Sequence, residues 1–249
     1  MKQHYYPLSF SSIKAFSNST AHFIAYKNRQ QETTPAMQFG TAVHCAILEA
    51  DRFEIEYKKL EVRRGTAAYR KVIEDNPDVK NWLTASEYDE ACRIRDAVMK
   101  HDKARQLLRA CTSYEQLLQG SIMGVPFKGY ADAIGEGFCI DIKTTQKGSP
   151  RDFVNDAYRQ KYHIQGYIYL ELAKQNYGTS FSDHWIIAAE KGSPYVITCY
   201  KLTAEYLNRG REDLARLLEN WAQWDGKPRG YDADTAFGHF ELDLPTWAI

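Results

Sequence analysis

The sequence predicts an α/β fold in which helices flank a central mixed β-sheet and a helical extension precedes it. Apolar residues recur at helical spacing early in the chain, whereas short strand-like runs joined by glycine-containing turns begin at Tyr114. Helix-like and strand-like segments then alternate, which indicates the α/β class. The 249 residues, 44% of them hydrophobic, suit a single domain with a sizeable core. We divide it into a mainly helical part at 1–112, an α/β core at 113–225 and an irregular tail at 226–249.

The N-terminal part is expected to hold three helices. Ser9 or Ser11 can cap a first helix that carries Phe23 inward, and Pro35 can open a second one. The segment Ser86-Glu87-Tyr88-Asp89 resembles a capping box, which predicts a long helix reaching Leu108. The charged stretch between them contains Lys58, Lys59, Arg63, Arg64, Arg70 and Lys71. We interpret the first four of these as a solvated face rather than a DNA contact.

The core is expected to hold five strands and two long helices. The first three strands are short apolar runs bounded by Gly120, Gly124 and Gly135-Glu136-Gly137. A long helix then leads to a second hairpin, and an amphipathic helix follows it. In chain order the predicted elements are strands Tyr114–Gln119, Val125–Ile134 and Phe138–Ile142, helix Asp152–Gln175, strands His184–Ala189 and Tyr195–Leu202, and helix Thr203–Trp224.

The composition excludes several classes of protein. Lys plus Arg equals Asp plus Glu at 32 each, which excludes a polybasic protein but not a nucleic-acid enzyme with a local basic groove. Five scattered cysteines without a C-x-x-C pair argue against a zinc site or an iron–sulfur cluster. No apolar run approaches the roughly 20 residues of a membrane span, and no signal-peptide pattern is visible, so we expect a cytoplasmic protein.

The chemically informative residues are Asp132, Asp141 and Lys143. Asp132 and Asp141 fall on adjacent strands of one predicted hairpin, so their carboxylates can converge. Asp141 and Lys143 are two residues apart and leave one strand on the same face. Two carboxylates can hold Mg²⁺, and a lysine can orient the attacking water or offset charge on a phosphate. The alternative is that these three side chains are simply solvated. The apolar neighbours Ile140 and Ile142 favour a functional site instead, since a buried carboxylate needs a partner or a metal.

This pattern resembles the PD-(D/E)XK nuclease superfamily, and most closely its RecB-like and RecE-like (exonuclease VIII) branch. Gly40-Thr41-Ala42-Val43-His44 resembles the helical G-x-x-x-H motif of that family. Gln165-Gly166-Tyr167-Ile168-Tyr169 resembles its Q-x-x-x-Y motif, and Glu115 stands on the strand before Asp132, where many relatives carry an acid. Ala131 replaces the proline of the motif, at a position that varies within the superfamily. Without the resemblance, His44 could be a core residue, and Gln165 and Tyr169 could simply pack a helix on the sheet.

The resemblance implies a role for each of these residues. Asp132, Asp141 and the Ile142 carbonyl would hold Mg²⁺, for which Mn²⁺ can substitute, and His44 would complete its ligands. Lys143 would position the water, and Gln165 and Tyr169 would support it. The basic residues that follow the catalytic strand could line the entrance to its groove, and the candidates for DNA binding are Lys147, Arg151, Arg159 and Lys161.

The resemblance also implies a function. The chain would be a single nuclease domain that digests one strand of duplex DNA from an end, exposing a single strand for phage or prophage recombination. Relatives of this type work with a single-strand annealing protein and form rings, so a homo-oligomer is expected, with the Trp221/Trp224 end as a possible interface. The alternatives are a structure-specific or nicking endonuclease, a DNA-binding module with a vestigial site, and another metal-dependent hydrolase.

Overall fold

The computed structural model describes residues 5–28, 34–63, 65–79, 81–178 and 180–231. The helices are α1 Phe10–Asn18, α2 Thr20–Asn28, α3 Pro35–Leu48, α4 Ala50–Glu56, α5 Ala67–Asp75, α6 Ala85–Lys100, α7 Asp102–Arg109, α8 Pro150–Arg159, α9 Tyr162–Tyr177 and α10 Ala204–Gln223. The strands are β1 Tyr57–Leu60, β2 Asn81–Thr84, β3 Cys111–Ile122, β4 Val125–Gly135, β5 Phe138–Thr145, β6 Asp183–Glu190 and β7 Ile197–Lys201. The predicted α/β class is confirmed.

A five-stranded mixed sheet forms the centre of the fold, in the order β3-β4-β5-β6-β7. Neighbouring strands are antiparallel except β5 and β6, which run parallel. Parallel strands cannot be joined by a tight turn, and helices α8 and α9 supply the crossover between them. A separate parallel pair, β1 with β2, lies within the part of the chain that we expected to be mainly helical.

Helices cover both faces of the sheet. Ile140 and Ile142 of β5 pack toward α3, α6 and α7, whereas Cys139, the residue before Ile140, packs toward α1, α9 and α10. This is the alternation that a strand buried on both faces requires. Trp221 and Trp224, the expected interface residues, are only 2% and 5% exposed and belong to the second of these cores. In this structure they are core residues.

Helices end earlier than the apolar spacing predicts. Ser19 is extended and separates α1 from α2, so Phe23 lies on α2. The capping box before α6 is formed by Thr84 and Glu87, two residues before the expected one, with Thr84 N donating to Glu87 Oε2 at 2.8 Å. His101 ends α6 and caps α7, its Nδ1 accepting from the Ala104 N–H at 3.2 Å. The expected long helix is therefore two helices.

The second break falls between α8 and α9. Lys161 has φ 62°, in the left-handed region, and interrupts the expected Asp152–Gln175 helix. The charged stretch holds β1 and α5 as well as a loop, and Arg64 of that stretch lies outside the described residues, as do 232–249 of the tail. No helix in the described part of the chain is both long and apolar enough to cross a bilayer.

Candidate metal centre

The candidate site lies where β4 and β5 separate. Their paired register runs from Gly135 opposite Phe138 to Ala133 opposite Ile140, and one further step would place Asp132 opposite Asp141. Instead, Asp132 Oδ2 accepts a hydrogen bond from the Ile142 N–H at 2.6 Å. The carboxylate thus takes the place of a backbone partner, which opens a gap between the strands. Both carboxylates are buried, Asp132 at 8% and Asp141 at 5% exposure.

Asp141 and Lys143 share a face of β5, as their spacing predicts. The Lys143 ammonium forms an ion pair with Asp141 Oδ2, and Gln165 Nε2 of α9 donates to Asp141 Oδ1 at 3.1 Å. Lys143 Nζ also lies 5.0 Å from the centre of the Tyr162 ring, within the range of a cation–π contact. Lys143 is therefore held between a carboxylate and an aromatic face.

His44 and Glu115 reach Asp132 from other elements. His44 Nδ1, on α3, lies 3.5 Å from Asp132 Oδ2. Glu115 lies on β3, and the pairs on either side of it, Tyr114 with Ala133 and Gln116 with Ala131, place it opposite Asp132. His44, Glu115 and Asp132 each offer one potential ligand atom, and these three atoms lie within 4.8 Å of one another. Glu115 has φ 48°, a strained conformation of a kind that clusters at functional sites.

The electrostatics of the site separate the two aspartates. Burial raises the pKa of Asp141 to about 6, since Lys143 only partly offsets burial and the charge of Asp132. Burial also works against the Asp132 carboxylate, but His44, Lys143 and the Ile142 N–H together hold its pKa below the usual value. Burial would lower the pKa of His44, whereas the attraction of Asp132 raises it overall. The site therefore concentrates negative charge that a bound cation would stabilise.

The donor set fits a hard divalent cation. Carboxylate oxygens are the preferred ligands of Mg²⁺, and an imidazole can join them for Mn²⁺. Within the described residues, the buried Gln165 Oε1 accepts no hydrogen bond, and Asp141 Oδ2 has the Lys143 ammonium as its partner. The N–H and C=O of one strand residue point to the same side, so the Ile142 carbonyl faces the gap that Asp132 occupies. Asp141 is turned toward Lys143 rather than toward the cluster of His44, Glu115 and Asp132.

Residues 9–227 match a family described as a PDDEXK-like domain of unknown function (DUF3799). The chain belongs to this family. The resemblance to the PD-(D/E)XK superfamily is confirmed.

Among solved structures, the PDDEXK-like domain is similar to a protein from Eubacterium rectale that is described as a candidate exonuclease. The two share 17% identity over 98% of this chain and 95% of the other, with a TM-score of 0.61, which shows a common fold. A second structure, SSO0001, covers 78% of this chain and 88% of its own at 18% identity, but its TM-score of 0.30 carries no argument. The comparison with curated proteins gives no match.

The two residues of the Q-x-x-x-Y motif lie on one face of α9 in the PDDEXK-like domain. Tyr169 packs against Gly129 of β4, where an added Cβ would lie 2.8 Å from the ring. Burial raises the pKa of Tyr169, so its hydroxyl stays protonated. Tyr162, which the sequence analysis missed, lies one turn before Gln165. The spacing of Tyr162, Gln165 and Tyr169 at i, i+3 and i+7 is the signal that could have identified it.

The four basic residues proposed for DNA binding lie along the segment from β5 to α9. Lys147 is in the loop after β5, Arg151 and Arg159 are the second and last residues of α8, and Lys161 precedes α9. The first three are exposed and Lys161 is half-buried. The loop of Lys147 is fixed at Gly148, whose N–H donates to Glu190 Oε1 at 2.6 Å and whose carbonyl accepts from Tyr200 Oη at 2.6 Å.

Proposed function

We propose that this PDDEXK-like domain is a metal-dependent deoxyribonuclease that hydrolyses phosphodiester bonds. The observation that carries the proposal is the convergence of Asp132, Asp141 and Lys143 at the gap between β4 and β5. A purely structural ion pair would not require the additional acid Glu115 and the imidazole of His44 beside the same carboxylate. Family membership supports the nuclease assignment.

The residues of the site divide the work between metal binding and phosphate chemistry. Asp132, Asp141, the Ile142 carbonyl and His44 would hold Mg²⁺ or Mn²⁺, with Glu115 as a further oxygen ligand. The metal supplies Lewis-acid polarisation of the phosphate and a more acidic bound water. Lys143 is held as a cation by Asp141 and Tyr162, so it orients the water and stabilises charge that develops on the phosphate. Gln165 fixes Asp141, and Tyr169 supports Gln165.

The finer proposal is an exonuclease that degrades one strand of duplex DNA from an end in the cytoplasm. The resemblance to the exonuclease VIII type supports it, as does the description of the Eubacterium rectale protein. In that setting a single-strand annealing protein would take up the exposed strand. With zero net charge, the protein has little long-range attraction for DNA, so enclosure of DNA by a homo-oligomeric ring would help to retain it.

The decisive experiment incubates end-labelled duplex DNA with the protein in Mg²⁺, in Mn²⁺ and in EDTA, beside the Asp141→Ala variant. We expect labelled mononucleotides or short products that require the metal and the aspartate. Normal turnover by purified Asp141→Ala would remove the assignment. Cutting of covalently closed circular DNA would favour an endonuclease, and binding without cleavage at any metal concentration would favour a vestigial site.

Light scattering and degradation in the presence of trap DNA test the ring. A ring should degrade one DNA molecule through many nucleotides before it binds another, because the strand cannot leave sideways. A monomeric mass with frequent release would contradict the ring and leave the metal centre untouched.

A further inference from the structure

Two lysines contact the junction between α8 and α9, and a third lies within it. The Lys14 ammonium, on α1, donates to Gln160 Oε1, and Lys143 lies over the ring of Tyr162. Lys161 is the residue between these two contacts. Three consecutive junction residues therefore bring together cations from α1, from β5 and from the junction itself, next to the candidate metal centre.

The backbone at this junction is strained at Lys161. Lys161 has φ 62°, in the left-handed region that is unfavourable for a residue with a Cβ atom. Glycine or asparagine would adopt this conformation more readily. The N-terminus of the α9 helix begins here without a side-chain cap and without an acidic residue in its first turn. The partial positive charge of this helix end adds to that of the lysines.

The other two lysines disfavour the charged form of Lys14. Burial lowers the pKa of Lys14, and the charges of Lys143 and Lys161 lower it further. Lys143 has Asp141 as its ion-pair partner, but no acidic side chain within the described ranges pairs with Lys14 or Lys161. An anion placed between them would relieve this repulsion.

We propose that Lys14 and Lys161 form a phosphate subsite beside Lys143, which binds a phosphate group of the DNA strand next to the one that is cleaved. This rests on the proposed function, because it places the same DNA strand in both sites. Lysine is a point-charge donor and suits phosphate oxygens without reading sequence. The subsite also supplies the local positive charge that a neutral protein needs for a polyanion. The phosphate is either an internal diester or a terminal monoester, which share this chemistry.

The test measures equilibrium binding of a short labelled duplex in EDTA over a range of salt concentrations. Lys14→Met keeps the alkyl chain without the charge, and Lys161→Asn removes the charge while tolerating positive φ. Lys100→Met makes the same charge change at an exposed residue that ends α6. Log affinity falls as log salt concentration rises, and each lost phosphate contact makes this slope shallower by about 0.9. The affinity at 0.1 M salt then falls by about eightfold.

We expect each site variant to show this loss, Lys100→Met to match the wild type, and Lys14→Arg to keep the wild-type slope. Thermal unfolding of each variant checks that the fold is retained. Wild-type affinity and slope in both Lys14→Met and Lys161→Asn, or an equal loss in Lys100→Met, would overturn the subsite. A loss confined to duplexes with terminal phosphates identifies a monoester, and an equal loss on hydroxyl-terminated duplexes identifies an internal diester.

A cleavage assay of the wild type and the variants in Mg²⁺, run beside the binding measurements, separates the subsite from the proposed activity. If the wild type fails to cleave DNA in Mg²⁺ but the binding losses appear as expected, the nuclease proposal fails and the phosphate subsite stands. If the wild type cleaves DNA and the variants bind normally, the subsite fails and the nuclease proposal stands.

Discussion

Tyr162 offers a sharp test of how the fold positions Lys143. The ring centre lies 5.0 Å from Lys143 Nζ, and the lysine side chain is 20% exposed. A largely desolvated cation–π contact is worth about 1–2 kcal/mol. If that energy serves to hold the ammonium against the reacting phosphate, Tyr162→Leu should slow cleavage by about 5- to 30-fold.

The rate should not fall to the level of Lys143→Ala, because the ion pair with Asp141 remains in Tyr162→Leu. Tyr162→Phe keeps the aromatic face and should stay within about twofold of the wild type, since the contact depends on the ring rather than on the hydroxyl. Tyr177→Leu makes the same substitution at the exposed far end of α9 and serves as the matched control.

The assay is single-turnover cleavage of end-labelled duplex at saturating Mg²⁺, with DNA binding measured separately. A loss in the chemical step with unchanged DNA affinity is the expected pattern, because the ring contacts the lysine. The reasoning is refuted if Tyr162→Leu cleaves at the wild-type rate. It is equally refuted if Tyr162→Phe loses as much activity as Tyr162→Leu.

Three further predictions follow from the site and its surroundings. Replacing Asp132, Asp141 or Lys143 by alanine should reduce cleavage by about two orders of magnitude or more with the fold retained, as measured by initial rates and circular dichroism. Mg²⁺ and Mn²⁺ should support activity, whereas Ca²⁺ should bind without supporting it well. His44→Ala should be less active than the wild type when Mg²⁺ is the only cation, and wild-type rates of His44→Ala under both metals would make His44 a core residue. Burial, reinforced by the charge of Lys143, lowers the pKa of His184 to about 3. Below about pH 6.5, His184 is therefore protonated in the unfolded chain but stays neutral in the native state. Stability should therefore fall as the pH drops, by about 2 kcal/mol from this group between pH 7.5 and 5.0, and urea unfolding of His184→Phe should show a pH dependence smaller by that amount.

The strands of the core could be predicted because each is a local pattern. Val125–Ile134 and Phe138–Ile142 are apolar runs between glycines, and the structure extends them by only one and three residues. The helix breaks at His101 and Lys161 could not be predicted in this way, since neither residue is glycine or proline. The short strand β1 was missed because two exposed lysines separate its buried ends, a pattern that also suits a solvated loop.

The convergence of Asp132 with Asp141 was accessible from the sequence because a hairpin fixes which residues face each other. The sequence does not show why strands β4 and β5 separate at this point. Asp132 bonds to the Ile142 N–H and so ends the pairing of β4 with β5. This contact depends on side-chain geometry that no spacing rule contains. Lys14 was missed for the same reason, because it contributes through a contact with Gln160, a residue distant in sequence.

The separation of β4 and β5 creates both the gap that could receive a metal ion and the buried charge of Asp132. A continuous ladder would leave no gap to receive a metal between the carboxylates, whereas the Asp132 side chain replaces one backbone partner and leaves the Ile142 carbonyl turned into that gap. The buried carboxylate is tolerated because His44 and Lys143 stabilise its charge. These cationic partners come from different elements, His44 from α3 and Lys143 from β5, and removal of either leaves the same carboxylate with one cationic partner fewer. The double variant His44→Ala with Lys143→Ala should therefore be destabilised by more than the sum of the two single variants, as measured by urea unfolding, and simple additivity would show that the two partners act independently.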